Sequence, residues 1–271
     1  MKSNNLKKTA LSAIILLLVI AAFGGAVTYA WFTYNSSVWT NRIEAKTSSP
    51  EVKLLLGLKK EPFEGKDELN LAATQVNDAN IEKLMPVSTA DLAKFVYNNG
   101  IEVKDEESIF HGVFYVMATG NLQADGQLAL YLDSEECVIK ADDADSLFLN
   151  AGRMGFKFEN AEPVIVALSE NKNADADRVD NTVLNDEAVP RGKVLKMTSG
   201  GAVSYVTDPA ISLAEAGISN PSAEPIAMLD LNTVYQMDIY FYLEGTDPDC
   251  SEAIKEDAAS VKLAFYGAVV E

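Results

Sequence analysis

Residues 233–244 read TVYQMDIYFYLE, and this stretch decides the fold class. Tyr235, Met237, Ile239, Phe241 and Leu243 fall on one side of an extended chain. Val234, Gln236, Asp238, Tyr240, Tyr242 and Glu244 fall on the other. A period of two is that of a strand, and an apolar side opposite a mixed one marks a sheet with one buried face. Residues 260–270 alternate in the same way, with Val261, Leu263, Phe265 and Val269 set against Lys262, Ala264 and Tyr266.

Outward from these two segments the pattern stays β. Residues 108–118 (SIFHGVFYVMA), 127–132 (QLALYL), 136–140 (ECVIK), 146–158 (SLFLNAGRMGFKF) and 163–169 (PVIVALS) read as strands with turn residues between them. Residues 31–47 are rich in aromatic and β-branched side chains and read as extended, and residues 51–58 (EVKLLLGL) as the strand that follows. Residues 59–80, with Pro62, Gly65 and many charges, read as a loop. One helix is expected: Ser88 caps it, Asp91 follows three residues later, Leu92, Phe95 and Val96 share a face, and Asn98, Asn99 and Gly100 end it. Residues 170–190 hold six acids, two bases and four Asn and read as an exposed acidic loop. Residues 207–226, with Pro209, Gly217, Pro221 and Pro225, read as an irregular connection. The expected fold is all-β: a two-sheet sandwich, jelly-roll-like, with one or two short helices and long loops. The 271 residues suffice for one such core, so residues 31–271 are expected to form a single β-sandwich domain.

Charge narrows the function. Lys and Arg number 22 and Asp and Glu 40, for a net charge of −18. A nucleic-acid binder needs a basic surface, so that class is set aside. One His and two Cys are too few for zinc fingers, iron–sulfur clusters or a His-rich metal site. His111 lies in a β pattern and reads as a strand residue, with no Gly-x-Ser-x-Gly elbow to make a triad of it. No Walker loop or Rossmann fingerprint occurs. A glycosidase carboxylate pair would have to be picked from 40 acids, which is guesswork. No enzyme is expected, and no cofactor.

Calcium is the one metal worth testing. Asn171, Asn173, Asp175 and Asp177 alternate as oxygen ligands do, yet every EF-hand register lacks its Gly and its Glu. Glu244, Asp247 and Asp249 form a second acidic cluster, in the turn after the decisive strand. They are calcium candidates, against the plainer reading of solvated acids beside a turn. Cys137 and Cys250 are an even pair at strand ends and are candidates for a disulfide. The triplet at Asn35, Ser36 and Ser37 fits N-glycosylation and is taken as chance.

Residues 1–30 have the three parts of a secretory signal: Lys2, Lys7 and Lys8, an apolar middle, and small residues at an exit. Thr28 and Ala30 would fill the −3 and −1 pockets, so that cleavage falls between Ala30 and Trp31. The competing reading is an uncleaved anchor, since residues 10–30 are long enough to cross a bilayer. Both readings put residues 31–271 outside the cytoplasm, secreted or at the cell surface. Cleavage would leave 19 bases against 40 acids, a charge that keeps an exported chain soluble until something screens it.

The stretch from Gly24 through Gly25, Ala26, Val27, Thr28, Tyr29, Ala30 and Trp31 to Phe32 resembles export signals processed by the SipW-type signal peptidase of Gram-positive bacteria. The biofilm-matrix proteins of the TasA/camelysin family are clients of that peptidase. Residues 239–250 (IYFYLEGTDPDC) also look like a segment of exported clostridial proteins with this signal. The resemblance implies a jelly-roll subunit at the surface or in the matrix, joined to its neighbours by donation of an N-terminal strand. Trp31, Phe32, Thr33 and Tyr34 are the residues it would donate. Residues 31–47 forming the first strand of their own sheet is the competing expectation. Camelysins have been described as proteases, but the metal ligands are missing here and that activity is not carried over. The partners expected are further copies or other surface and matrix proteins, with the membrane involved only through residues 10–30. The alternative is a carbohydrate- or partner-binding module using Tyr240, Tyr242 and Tyr266 on outward faces.

Overall fold

A computed structural model describes residues 37–70, 84–104, 108–120, 126–141, 143, 146–170, 182–183, 187–188, 192–250, 254 and 258–270. The first strands are β1 (Ser37–Thr47), β2 (Val52–Gly57), β3 (Glu68–Asn70), β4 (Pro86–Ser88), β5 (Val96–Tyr97) and β6 (Phe110–Gly120). β7 (Gln127–Leu132), β8 (Val138–Ala141), β9 (Gly152–Phe158), β10 (Val164–Ala167), β11 (Thr182–Val183) and β12 (Glu187–Ala188) follow. The last are β13 (Lys193–Met197), β14 (Val203–Thr207), β15 (Ile211–Ser212), β16 (Ala227–Asp230), β17 (Val234–Glu244) and β18 (Ala258–Val270). Two single-turn helices interrupt them, α1 (Phe148–Ala151) and α2 (Leu213–Ala216).

The expected all-β class holds. One sheet runs β16-β7-β18-β1-β3, with β8 beside the start of β18. The other is centred on β17, with β9, β10 and β15 to one side and β6 and β2 to the other; β4 and β5 flank its end. β1–β18, β17–β4 and β10–β15 are parallel pairs, so both sheets are mixed. The inner faces meet in one apolar layer. Phe156 of β9 and Phe265 of β18 touch edge to face, their ring centres 5.7 Å apart. Phe114, Phe241, Ile43, Leu54 and Leu56 are buried with them. Met237, Ile239, Phe241 and Leu243 are buried as the alternation requires. Residues 35–271 form one compact unit.

The decisive strand also departs from its pattern. Tyr242 and Glu244, expected outward, are buried. A third layer lies over that end of the sheet, made by residues 89–95, between β4 and β5, and by the β13–β14 hairpin. Val87, Leu92 and Phe95 pack there against Ile165, Ala167, Ala210 and Tyr242, while Val96 packs with Leu195 and Met197.

This layer overturns the expected helix. Thr89 Oγ1 accepts the Leu92 N–H at 3.1 Å, closing a turn, and Leu92 has φ of 51°, which breaks helical continuation. Its side chain fills the space above Gly155, where a Cβ would lie 2.6 Å from Leu92 Cδ1. The segment 146–158 is a helical turn followed by β9, not one strand. Within 207–226, Ser212 and Glu215 form a reciprocal capping box on α2, so that connection is more ordered than expected. β3 falls in the expected loop 59–80, and β11 and β12 pair within the acidic segment. No helix among the described residues is long and apolar enough to cross a membrane.

Candidate functional site

The chain's first described strand is an interior one. β1 pairs in parallel with β18 from Ser37↔Ala258 to Thr47↔Gly267, with an irregularity between Thr40 and Arg42. Its other edge pairs with β3 from Arg42↔Asn70 to Glu44↔Glu68. This matches the competing expectation that residues near 31–47 belong to their own sheet. Ile43 and Ala45 point into the core. Arg42, Glu44 and Lys46 point out and join a ladder of opposite charges. Arg42 bonds Glu68 and lies 2.7 Å from Glu44; Glu44 lies 3.1 Å from Lys262; Glu136 lies 3.1 Å from Lys46 and 3.5 Å from Lys262. The bond to Glu136 raises the Lys46 pKa, and the bond from Lys46 lowers that of Glu136. Ala30, Trp31, Phe32, Thr33 and Tyr34, the cleavage and strand-donation candidates, lie outside the described residues, as do Asn171, Asn173, Asp175 and Asp177.

Glu244, Asp247 and Asp249 are brought together, but neither as calcium ligands nor as solvated acids. All three are buried, and Asp247 and Glu244, together with Asp208, act on the guanidinium of Arg153. Strand register sets this up, because Arg153 of β9 stands opposite Tyr242 of β17 on the covered face. Arg153 Nη2 lies 2.8 Å from Asp247 Oδ2 and 3.5 Å from Asp208 Oδ2, and Nη1 donates to the carbonyls of Asn150 and Gly152. Asp249 accepts from Asn150 Nδ2 at 2.9 Å, and its N–H donates to Asp247 Oδ1. The Thr246 hydroxyl sits between Glu244 Oε1, at 2.8 Å, and the carbonyl of Lys193, at 2.9 Å. The cluster thus ties β17 to β9 and to the covering hairpin. Among the described residues no group of His, Cys, Asp and Glu could hold a metal ion.

Burial raises the Glu244 carboxyl to about 7, against the opposing pull of Arg153. Burial alone would lower the Arg153 pKa, but Asp247, Asp208 and Glu244 outweigh it and raise it. Arg153 and Asp208 are the residues that sequence reasoning missed. The available signal was Arg153, set between Gly152 and Gly155 in the largely apolar run 146–158.

The expected disulfide does not form: Cys137 and Cys250 are both free thiols. They belong to different places. Cys137 Sγ accepts the Ala264 N–H at 3.3 Å, beside β18. Cys250 is buried in the turn after β17, its N–H on the Asp247 carbonyl. Burial pushes Cys137 up to about 11 and Cys250 well above the ordinary thiol range.

His111 is a strand residue, as expected. Its Nε2 is 2.8 Å from Asp238 Oδ1, and its ring stacks on Tyr240 with centres 4.5 Å apart. Burial pushes the Asp238 carboxyl up, but the bonds from His111 and Gln236 prevail and lower it. Tyr240 and Tyr266 are half-buried and Tyr242 is sealed, so the three tyrosines do not form the exposed face a sugar-binding module would use. No known protein family, no curated protein and no solved structure matches the chain.

Proposed function

We propose that this is an exported structural protein of the cell surface or extracellular matrix, a building piece that self-associates by strand donation. The observation that carries the reading is the leader-like sequence of residues 1–30; β1, seated inside its own sheet parallel to β18 and joined to β2 through residues 48–51, is the strand in its unexchanged place. Were β1 to leave, β18 would become an open edge able to accept the same strand from another copy. Trp31, Phe32, Thr33 and Tyr34, which precede β1 in the sequence, are the residues that would be donated with it. The leader-like residues 1–30 and the surplus of acids over bases support export.

The test is the product released by its producing cell. Intact mass and N-terminal sequencing should give a chain starting at Trp31, and electron microscopy should show fibres that are lost when Trp31, Phe32 and Tyr34 are replaced by Ala. A chain retained in the cytosol, or monomers at every pH and calcium concentration, would refute the reading.

A further inference from the structure

We propose that the β13–β14 hairpin is a flap latched to the second sheet by one shared proton, and that it opens when the proton leaves. Among the described residues β13 and β14 pair only with each other, so no backbone ladder joins them to either sheet. Two hydroxyls attach β13 instead. Ser88 Oγ on β4 accepts the Leu195 N–H at 2.7 Å. Thr246, in the turn after β17, lies 2.9 Å from the Lys193 carbonyl. Both hydroxyls also bond the carboxyl of Glu244. The apolar part of the attachment is small, with Leu195 and Met197 against Val96 of β5. The partly exposed pair from Lys196 to Asp91 adds little.

Counting hydrogens at Thr246 shows why a proton is needed. Its Oγ1 stands between two oxygens, the Lys193 carbonyl at 2.9 Å and Glu244 Oε1 at 2.8 Å. A hydroxyl carries one hydrogen and can serve one of them. With Glu244 ionised, the charged oxygen takes that hydrogen, and the carbonyl of Lys193 is left facing a lone pair. With Glu244 protonated the chain closes: its O–H donates to Thr246, and the Thr246 hydroxyl donates to Lys193. The Thr246 N–H, 3.2 Å from Oε1, holds the carboxyl in place. Solvent does not reach the site to make up a missing bond, since Glu244 is 1% and Thr246 3% exposed.

The groups around Glu244 set when the proton leaves. Arg153 on β9 favours the ionised form, and Asp208 at the foot of β14 opposes it. Asp247 draws on the same guanidinium. Tyr242 on β17 and Cys250 in the turn feel the carboxylate but stay neutral, their own pKa values pushed well up by burial. Burial of Glu244 outweighs Arg153, and its carboxyl titrates at about 7. The latch is therefore closed in acid and released as pH rises through neutrality. Release uncovers Leu195, Met197 and Val96. This inference stands apart from strand donation, because β1 takes no part in it.

The test follows amide exchange of the full chain in low urea at pH 5.5 and pH 8.5, corrected for the intrinsic pH dependence of exchange. Protection of Lys193–Met197 and Val203–Thr207 should fall by about tenfold or more between the two. The urea slope of this opening should lie well below that of β7, which marks local release and not unfolding of the domain. Glu244→Gln, whose amide N–H replaces the acid O–H, should keep the hairpin protected at both pH values. Thr246→Val should bring protection at pH 5.5 down to near the value at pH 8.5, and Thr246→Ser, which keeps the hydroxyl, should not. A hairpin that exchanges only with the urea slope of β7, a pH dependence that survives Glu244→Gln, or protection unmoved by Thr246→Val overturns the proposal. If Thr246→Val does not fold, the Glu244→Gln comparison decides alone.

Discussion

Arg153 Nη2 stands 2.8 Å from Asp247 Oδ2, and both side chains are sealed from water. The pair joins a central strand of one sheet to the turn that leads away from β17. A buried cation of this kind adds little net stability compared with a well-packed apolar substitute, but it makes its partners depend on it. Asp208, Asp247 and Glu244 share that single guanidinium.

Arg153→Met should therefore destabilise the fold by about 3–5 kcal/mol, read as a lower urea midpoint with little change in slope. The loss comes from carboxylates left buried without a counter-charge. Replacing Asp208 by Asn in the Arg153→Met background should recover part of it, since one stranded charge is then removed. If the second change adds further loss, the charges are not what matters.

Glu244 gives the fold a pH dependence of definite sign. Its folded-state pKa, about 7, lies above the ordinary 4.5, so the folded chain holds that proton more tightly than the unfolded chain. The contribution is full below about 4.5 and is lost as pH rises through about 7, on the order of 3 kcal/mol in all. Urea titrations at pH 5 and pH 8.5 should show the drop, and Glu244→Gln, which mimics the protonated acid, should remove it. An equal slope in the Gln variant would assign the dependence to other groups.

Leu92 and Gly155 should behave as a coupled pair. Gly155→Ala places a methyl 2.6 Å from Leu92 Cδ1, which forces the buried Leu92 side chain to shift. The expected cost is about 1–3 kcal/mol. In a Leu92→Ala background the same change should cost much less, because the obstructing atoms are gone; a double-mutant cycle reads the difference. Additive costs would mean that the turn does not sit on the glycine.

The third layer explains where the sequence was legible and where it was not. Alternation located β17 and β18 because their inner residues meet one uniform apolar environment. It failed at Tyr242 and Glu244, whose cover comes from residues more than a hundred positions upstream and from the β13–β14 hairpin, neither of which β17 itself encodes. The expected helix failed for a related reason. Leu92, Phe95 and Val96 have helical spacing, but Leu92 and Phe95 pack on the second sheet while Val96 packs on the hairpin. The acids at 244, 247 and 249 were found as a group, yet Arg153, which pairs with Asp247, lies about ninety residues upstream in a largely apolar run.

The thiols offer a direct check on connectivity. With Cys137 raised to about 11 and Cys250 raised further by burial, neither forms much thiolate near pH 8. Ellman's reagent should label no cysteine in the native chain and both in urea, and a reductant should leave the melting temperature unchanged. A mass two hydrogens short of the dithiol form would restore the bridge.

Glu44 tests how firmly β1 is seated, which strand exchange requires to be adjustable. Its carboxylate touches Arg42 on its own strand and Lys262 on β18. The pair to Lys262 crosses the parallel seam between β1 and β18, so it opposes departure of the strand directly. Such pairs near the surface contribute about 0.5–1 kcal/mol at low salt and are screened as ionic strength rises. Glu44→Gln should therefore raise amide exchange across residues 37–47 at low salt without changing it in β17, and the difference should vanish near 1 M salt, where the Debye length is about 3 Å. Exchange that rises equally in β17 would mean that β1 opens only with the whole sandwich, and donation would then require global unfolding.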